Sequence, residues 1–525
     1  MHTAVVRTEC GLDGRSPHQA PAFLVSAARA QPARATLFGF LFPGRKLPVR
    51  ISRSQSQGRV SFSGESVQMI SGNRCPGPVN RREFMQVGAL TLGGLCLPEV
   101  LAARELSGTS RADTAVILLY LNGGASQLET YDLKPDAPSD YRSVFQPIST
   151  DVPGMDLCEL FPLQARLGKK IAIVRSLHHT MTSHSDGGIQ VLTGKTPPRP
   201  DPTSNSLSEH PDFGHVASRL RRIRPECPMP PFVAMPQKLY MTHPAYLGVQ
   251  HGAFEVGDPS AKNFSVPRLK LATGSNGQGL NDRRGLLSQL DQLRSGLDQS
   301  DSLQGMDHFR EVAFQMLTNP ETARAFDLGQ EPETLRDRYG RHTWGQSCLL
   351  ARRLAEAGTS VISLSINTPK DGQEFTNWDD HILNAGRPGH FAKYMRVRLP
   401  YLDQALSALI EDIYQRSLDQ RIMVVAMGEF GRTPRLSTNP QGVGRNHWPQ
   451  AASVLFSGGG LRTGQVVGAT NSKAEYPVHQ PYSPQDVLAT IYRHLGISLH
   501  QSFTDLSGRP VPIVSEGQPI KELIS

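Results

Sequence analysis

Hydrophobic residues along this chain gather into a few short, unbroken runs. Longer stretches lie between them, in which apolar positions recur every three or four residues. The short runs are Thr114–Leu121 (TAVILLYL), Lys170–Arg175, Ser360–Ile366 (SVISLSI), Ile422–Met427 (IMVVAM) and Ala452–Phe456. Runs this short, apolar without alternation, predict parallel strands buried on both faces. Among the helical patterns, Leu402, Leu406, Leu409, Ile410 and Ile413 form one apolar stripe. Gln346–Ala357 repeats the pattern and meets Gly358, a helix C-terminal signal. Ser483-Pro484 offers an N-cap and a first-turn proline for a helix that Gly496 ends. Strands alternating with helices predict an α/β fold, a mostly parallel central sheet with helices on both faces.

Two segments break the alternation. Residues 278–330 carry helical patterns (GLLSQLDQLRSGL, then HFREVAFQML) without a strand between them, which predicts a helical insertion over one sheet edge. Residues 196–212 are rich in Pro, Ser and Asp and predict a loop. There is no internal repeat.

Composition changes this picture mainly at the N-terminus. Of 525 residues 38% are hydrophobic, enough for a core, and no run approaches the roughly 18 apolar residues of a membrane span. An integral membrane protein is therefore excluded. The formal charge is +8, but residues 1–103 hold 12 Lys/Arg against 5 Asp/Glu, which leaves the body about +1. The body thus offers no electrostatic reason to bind nucleic acid.

Residues 1–68 are Arg-, Ser-, Gln- and Pro-rich with little periodicity, and are expected to be disordered or untranslated. Asn80-Arg81-Arg82-Glu83-Phe84-Met85 then opens an apolar stretch from Met85 to Leu97, closed by Leu101-Ala102-Ala103. A basic region, a short apolar region and small residues make an export signal. The paired arginines followed by Phe resemble a twin-arginine (Tat) signal. Such a signal belongs at the start of a chain, so Met69 is the expected initiator and 69–103 the signal region, with the folded domain over 104–525. The expected partner is the Tat export machinery, and the expected location the periplasm or the extracellular space. Of six cysteines only Cys158, Cys227 and Cys348 survive cleavage, too few and too scattered for a disulfide framework or a zinc cluster.

Polar residues cluster where the predicted strands end, the edge at which ligands bind in open parallel sheets. Asn122-Gly123-Gly124 follows the first strand. His178, His179, Ser183, His184, Ser185 and Asp186 follow the second. Asn377-Trp378-Asp379-Asp380-His381 comes after Ile366, Gly428-Glu429-Phe430-Gly431-Arg432 after Met427, and Gly444-Arg445-Asn446-His447-Trp448-Pro449 before Ala452. Singly, each is a common turn or helix cap. Jointly they bring carboxylates and imidazoles to one edge, the ligand set of a divalent metal. No dinucleotide-binding glycine pattern and no Gly-x-Ser-x-Gly elbow is present.

Five stretches in order carry a resemblance: Leu118–Pro135 (LLYLNGGASQLETYDLKP), Tyr339–Gly358 (YGRHTWGQSCLLARRLAEAG), Trp378-Asp379-Asp380-His381, GEFGRTP at 428–434 and GRNHWP at 444–449. Over residues 81–500 the chain resembles the domain of unknown function 1501 family, within the alkaline phosphatase-like superfamily that includes sulfatases. The resemblance implies that fold, and hydrolysis at a sulfate or phosphate ester. The expected substrate is a sulfated or phosphorylated glycan of an extracellular polysaccharide, or a small ester. It also implies one or two divalent ions (zinc, manganese or calcium). Asp379, His381 and His447 stand at the positions of one site, joined by Glu429, with Asn122 where the other site has an aspartate. Phe430 replaces an expected histidine, and Asn446 an expected aspartate. Counting back ten residues from Gly194, where a nucleophile is expected, reaches His184. The resemblance thus leaves His184 as a metal ligand or general acid, Asp186 to orient it, and Arg432 to clamp an anionic oxygen. Trp378 and Trp448 either wall a sugar-binding cleft or pack in the core. These replacements keep a second reading open, a catalytically inactive binding or assembly protein of the cell envelope.

Overall fold

The computed structural model describes residues 113–524, apart from 222–227, 265, 267–318, 371, 385–386 and 389. The predicted leader and signal over 1–103 and Cys227 lie outside the described residues. So does most of the predicted insertion, of which the short helix Pro320–Phe326 is described. Among the described residues no helix is long and apolar enough to cross a membrane.

All five predicted runs form strands of one eight-stranded sheet. In chain order its strands are β1 (Ala115–Tyr120), β2 (Ile171–Leu177), β3 (Phe232–Met235), β4 (Phe254–Glu255), β5 (Val361–Ser365), β6 (Ile422–Met427), β7 (Ala452–Gly458) and β8 (Gln465–Val467). Across the sheet they lie β8-β2-β7-β6-β1-β5-β3-β4. The pairings of β1 with β5 and β6, of β3 with β4 and β5, and of β2 with β8 are parallel. One expectation is corrected here: β7, read as parallel, runs antiparallel to both neighbours. An antiparallel return needs no crossover helix, so the chain leaves β6 and re-enters at β7 through a loop excursion of the same edge. That reversal places 428–434 and 444–449 together. β3, β4 and β8 were not foreseen, being two to four residues long.

Helices cover both faces. Alternate residues of β1 divide between two cores. Ala115, Ile117 and Leu119 pack with α3 (Thr343–Ala357) and α4 (Phe391–Gln415). Val116, Leu118 and Tyr120 pack with α1 (His184–Thr193), α2 (Phe213–Leu220) and α5 (Pro484–His494). The predicted stripe on α4, from Leu402 to Ile413, is buried against the sheet. Each such side chain contributes about 1.5–3 kcal/mol through burial. Gly358 closes α3 in the left-handed conformation, and Ser483 begins α5 with a full capping box through Asp486. Cys158 and Cys348 are buried free thiols.

Away from the strand-end clusters two further imidazoles are held neutral, His342 buried and His494 partly buried. His494 donates from Nε2 to the Ala115 carbonyl at 3.0 Å, and His342 caps α3 by accepting the Gly345 N–H. Burial pushes both down to about 4, helped by the charge of Arg221 near His494 and of Lys370 near His342. A depressed histidine takes up its proton in the unfolded chain first. Its contribution is therefore complete above about pH 6.5 and is lost as the pH falls toward 4, by up to about 1.4 kcal/mol per pH unit for each group. Urea midpoints measured between pH 7 and 4.5 should fall accordingly. His342→Asn, which keeps a cap without a titrating group, should flatten the decline.

Candidate metal centre

β1 ends in a turn that draws three strand ends together. Gly123 and Gly124 have φ of +103° and +80°. A Cβ on Gly123 would lie 2.5 Å from the Asp379 backbone nitrogen, and one on Gly124 2.6 Å from the Phe430 ring. Only glycine permits that conformation and that approach. The Gly123 N–H donates to Glu429 Oε1 at 2.8 Å, and the Trp378 N–H to the Asn122 carbonyl at 2.7 Å. The loops after β1, β5 and β6 are thus locked edge to edge.

On this platform three ligand-capable atoms converge. Asp379 Oδ1 lies 3.0 Å from His381 Nε2 and 3.1 Å from His447 Nε2, and the two Nε2 atoms are 2.9 Å apart. The far side of each ring fixes its tautomer. His447 Nδ1 is 2.6 Å from the Thr182 carbonyl, so that nitrogen carries the proton. His381 Nδ1 is 2.8 Å from Asn446 Oδ1, whose amide nitrogen turns toward Ser437. In the neutral rings both Nε2 lone pairs therefore face each other and a carboxylate oxygen. A proton relieves one pair of this triangle; a divalent cation relieves all three. Ligand atoms at right angles on bonds of about 2.1 Å stand about 3.0 Å apart, so the donor set and its spacing fit such an ion.

His184 stands beside the triangle. Its Nδ1 is 2.7 Å from Glu429 Oε1 and its Nε2 3.3 Å from Asp379 Oδ2. Ligand atoms of His184, Asp379 and His447 also lie within 4.8 Å of one another, an alternative grouping for a cation. Burial opposes a charge on His184, but the hydrogen bonds to Asp379 and Glu429 outweigh it and push the imidazole up to about 9. His447 is shifted down by burial, with the charges of Arg432 and His184 adding to it. Asp379 would be raised by burial. The hydrogen bond from His184, the close imidazoles of His381 and His447 and the charge of Arg432 instead hold it far below the usual carboxylate range.

Four expected roles find other geometry. Asp186 does not orient His184: its Oδ2 accepts the Asp201 N–H at 2.7 Å and anchors the 196–212 loop, while Glu429 holds the imidazole. Glu429 in turn serves His184 and the Gly123 N–H rather than the triangle. The Asn122 amide donates to Ser365 Oγ at 2.6 Å. Arg432 cannot clamp a substrate, because its side chain is 0% exposed. Its guanidinium is spent on Asp379 Oδ1 at 2.6 Å, the Gly124 carbonyl at 2.9 Å and the carbonyls of Gly123, Trp378 and Arg445. Neither serine beside His184 offers an exposed hydroxyl: Ser183 is the N-cap of α1 and Ser185 is fully buried. Trp378 is buried, bonded to the Ile366 carbonyl and stacked on Trp344, so it packs in the core rather than walling a cleft.

The supporting groups escaped the reading of the sequence. Arg445 and Glu129 form a doubly hydrogen-bonded pair, both side chains 0% exposed. Arg398 and Asp380, equally buried, form a singly hydrogen-bonded pair beside Trp378. Glu129, Asp380 and Arg445 stand inside the motifs and could have been weighed as charged residues adjoining the ligands. The Thr182 carbonyl carries no side-chain signal. Asn446, noted as a replacement, is here the orienting partner of a ligand ring. Groups of this kind typically tune metal affinity by about 10–100-fold. Asn446→Leu, at an exposed position, should weaken binding by that factor in competition with a chelating dye. An unchanged affinity would remove His381 from the ligand set.

A mostly parallel sheet, wrapped by helices and gathering imidazoles and a carboxylate at one edge, defines an α/β protein with a candidate metal centre. The chain belongs to the protein family of unknown function DUF1501, whose model matches residues 113–524. No curated protein matches its sequence. Among solved structures it is similar to PsFucS1 sulfatase from Pseudoalteromonas sp., with 13% identity, a TM-score of 0.32, and 76% of this chain and 71% of that one covered. It is also similar to a 2-O GAG sulfatase (10%, 0.35, 78% and 73%). A third is the phosphonate monoester hydrolase SpPMH from Silicibacter pomeroyi (11%, 0.27, 78% and 76%).

Proposed function

We propose that this protein is an exported, metal-dependent hydrolase of sulfate or phosphate esters, acting on a sulfated or phosphorylated glycan or a small ester. The observation that carries the reading is the triangle of Asp379 Oδ1, His381 Nε2 and His447 Nε2, with side-chain exposures of 20–30% that leave it open to a ligand. These three residues would hold the ion. Imidazole nitrogens and the short spacing favour manganese or zinc over calcium, whose bonds are longer. A bound ion of this kind supplies Lewis acidity and water that ionises near neutral pH.

The remaining chemistry belongs to the side chains. Both nitrogens of His184 face carboxylate oxygens, so the ring holds two protons. Its partly exposed Nε2–H is placed to face an anionic ester oxygen or to protonate the departing one. Glu429 fixes that ring, and Arg432 keeps Asp379 ionised. Without a serine in position, the reading is direct displacement: water forms the new bond to sulfur or phosphorus, and the ester oxygen leaves with a proton. Export is proposed on the Arg81-Arg82 motif alone. A second reading, a binding protein without catalysis, is favoured by the sealed Arg432 and the buried Ser185.

Metal analysis of the isolated protein, followed by assays on 4-nitrophenyl sulfate and phosphate, tests the proposal. About one divalent ion per chain and chelator-sensitive hydrolysis are expected. Protein without metal, taking none up on titration, would end the hydrolase reading. Metal without turnover of either ester would shift the balance to the binding reading.

A further inference from the structure

A second concave site stands apart from this chemistry: none of its lining residues belongs to the metal centre. It is a cavity of about 230 Å³ floored by Leu118 of β1, Phe232 of β3 and Ser363 of β5. Leu192, Phe213 and Leu239 make apolar walls. An apolar cavity of about 150 Å³ is enough for benzene, so this one admits a substituted ring.

Polar groups interrupt the apolar lining: Ser363 on the floor, Thr242, His243 and Lys238 at the wall, and the Asp212–His215 pair. The Thr242 hydroxyl is bonded to Asp212, His243 to the Ser208 carbonyl, and Lys238 pairs with Glu255. Asp212 and His215 line the cavity, 3% and 4% exposed. Asp212 is fixed on every side. Its Oδ1 caps α2 by accepting the Gly214 and His215 N–H groups at 2.9 and 3.0 Å, and its Oδ2 accepts the Thr242 hydroxyl at 2.6 Å. His215 Nδ1 lies 2.8 Å from Asp212 Oδ1, a close contact whose angle falls short of a good hydrogen bond. A lone pair there would face a carboxylate, so the proton sits on Nδ1 and the lone pair of the neutral ring on Nε2. The ring packs edge-on to Phe232, and no side chain or backbone group among the described residues is bonded to Nε2.

We propose that this cavity is a binding site for a small, mainly apolar alcohol or phenol, whose hydroxyl donates to His215 Nε2 while its hydrocarbon fills the space between β1, β3 and α1. The buried charge of Asp212 and the Nε2 lone pair disfavour a carboxylate or phosphate there. An alkane or arene without a donor fits the walls but leaves the lone pair unmet. The site does not depend on the hydrolase reading, since it shares no residue with the metal centre.

Phenol and toluene, matched in size, distinguish recognition from mere apolar filling. Titration calorimetry and ligand-observed NMR on chelator-treated protein should show phenol bound about tenfold more tightly than toluene, the factor a single hydrogen bond provides. His215→Phe should lose that preference and bind toluene at least as tightly as phenol, whose hydroxyl then has no partner. Ala253→Phe, at a partly exposed position lining the cavity, should fill it and bind neither. Should His215→Phe fail to fold, the wild-type comparison and Ala253→Phe still decide. Wild-type protein that binds neither probe at millimolar concentration, or binds both equally, overturns the proposal. So does phenol binding that survives Ala253→Phe.

Discussion

Asp379→Asn is expected to abolish divalent-cation binding while the chain still folds. Asp379 Oδ1 is the shared vertex of the triangle, 3.0 and 3.1 Å from the two imidazoles. Its charge is also what draws a cation to a spot flanked by Arg432 and His184. An amide keeps the oxygen that accepts from Arg432 but removes that charge. The loss of affinity should therefore exceed the about 10–100-fold that follows loss of an outer partner. The readout is thermal stability. Wild-type protein at an ion concentration 100 times the dissociation constant gains about 2.7 kcal/mol. Asp379→Asn should gain nothing, although its metal-free midpoint is also lowered by the unpaired charge of buried Arg432. Equal stabilisation of variant and wild type by manganese or zinc would mean that the ion sits elsewhere.

Much of the frame was legible because burial on both faces leaves a plain mark. TAVILLYL and IMVVAM admit little besides a central strand, and both are hydrogen-bonded neighbours in the sheet. The strands that went unread, Phe232–Met235, Phe254–Glu255 and Gln465–Val467, are too short for any periodicity to register. Direction was the harder quantity. Nothing in Ala452–Phe456 distinguishes a parallel from an antiparallel strand, since both of its faces are covered either way. At the site, residue types were legible and pairings were not. The histidines and carboxylates announced themselves. That Arg432 would turn inward to the Gly123-Gly124 carbonyls, or that Asp186 would serve a backbone N–H of a neighbouring loop, depends on which loops the sheet order brings together.

The same principle governs the largest expected loss of stability. Arg445 precedes Asn446 and His447, and its guanidinium meets Glu129 in a pair fully removed from water. It also donates to the carbonyls of Thr433, Pro434 and Arg142. It thereby ties the loop after β1 to both ends of the excursion between β6 and β7. Arg445→Met leaves a buried carboxylate without its cation and three carbonyls without a donor. The cost is expected at about 3–5 kcal/mol, because the desolvation of Glu129 is then uncompensated. Glu129→Gln should cost a comparable amount by stranding the guanidinium. The double variant should lose clearly less than the two singles together, since neither charge is then left alone. Denaturant midpoints of the four proteins measure this cycle. Metal titration of the two singles adds a functional reading, because a loosened Arg445 frees the Asn446-His447 segment and should weaken the ion's hold even where the chain remains folded. Additive losses would show that Glu129 and Arg445 act through other partners, and full metal affinity in Arg445→Met would show that the ligand loop is positioned without it.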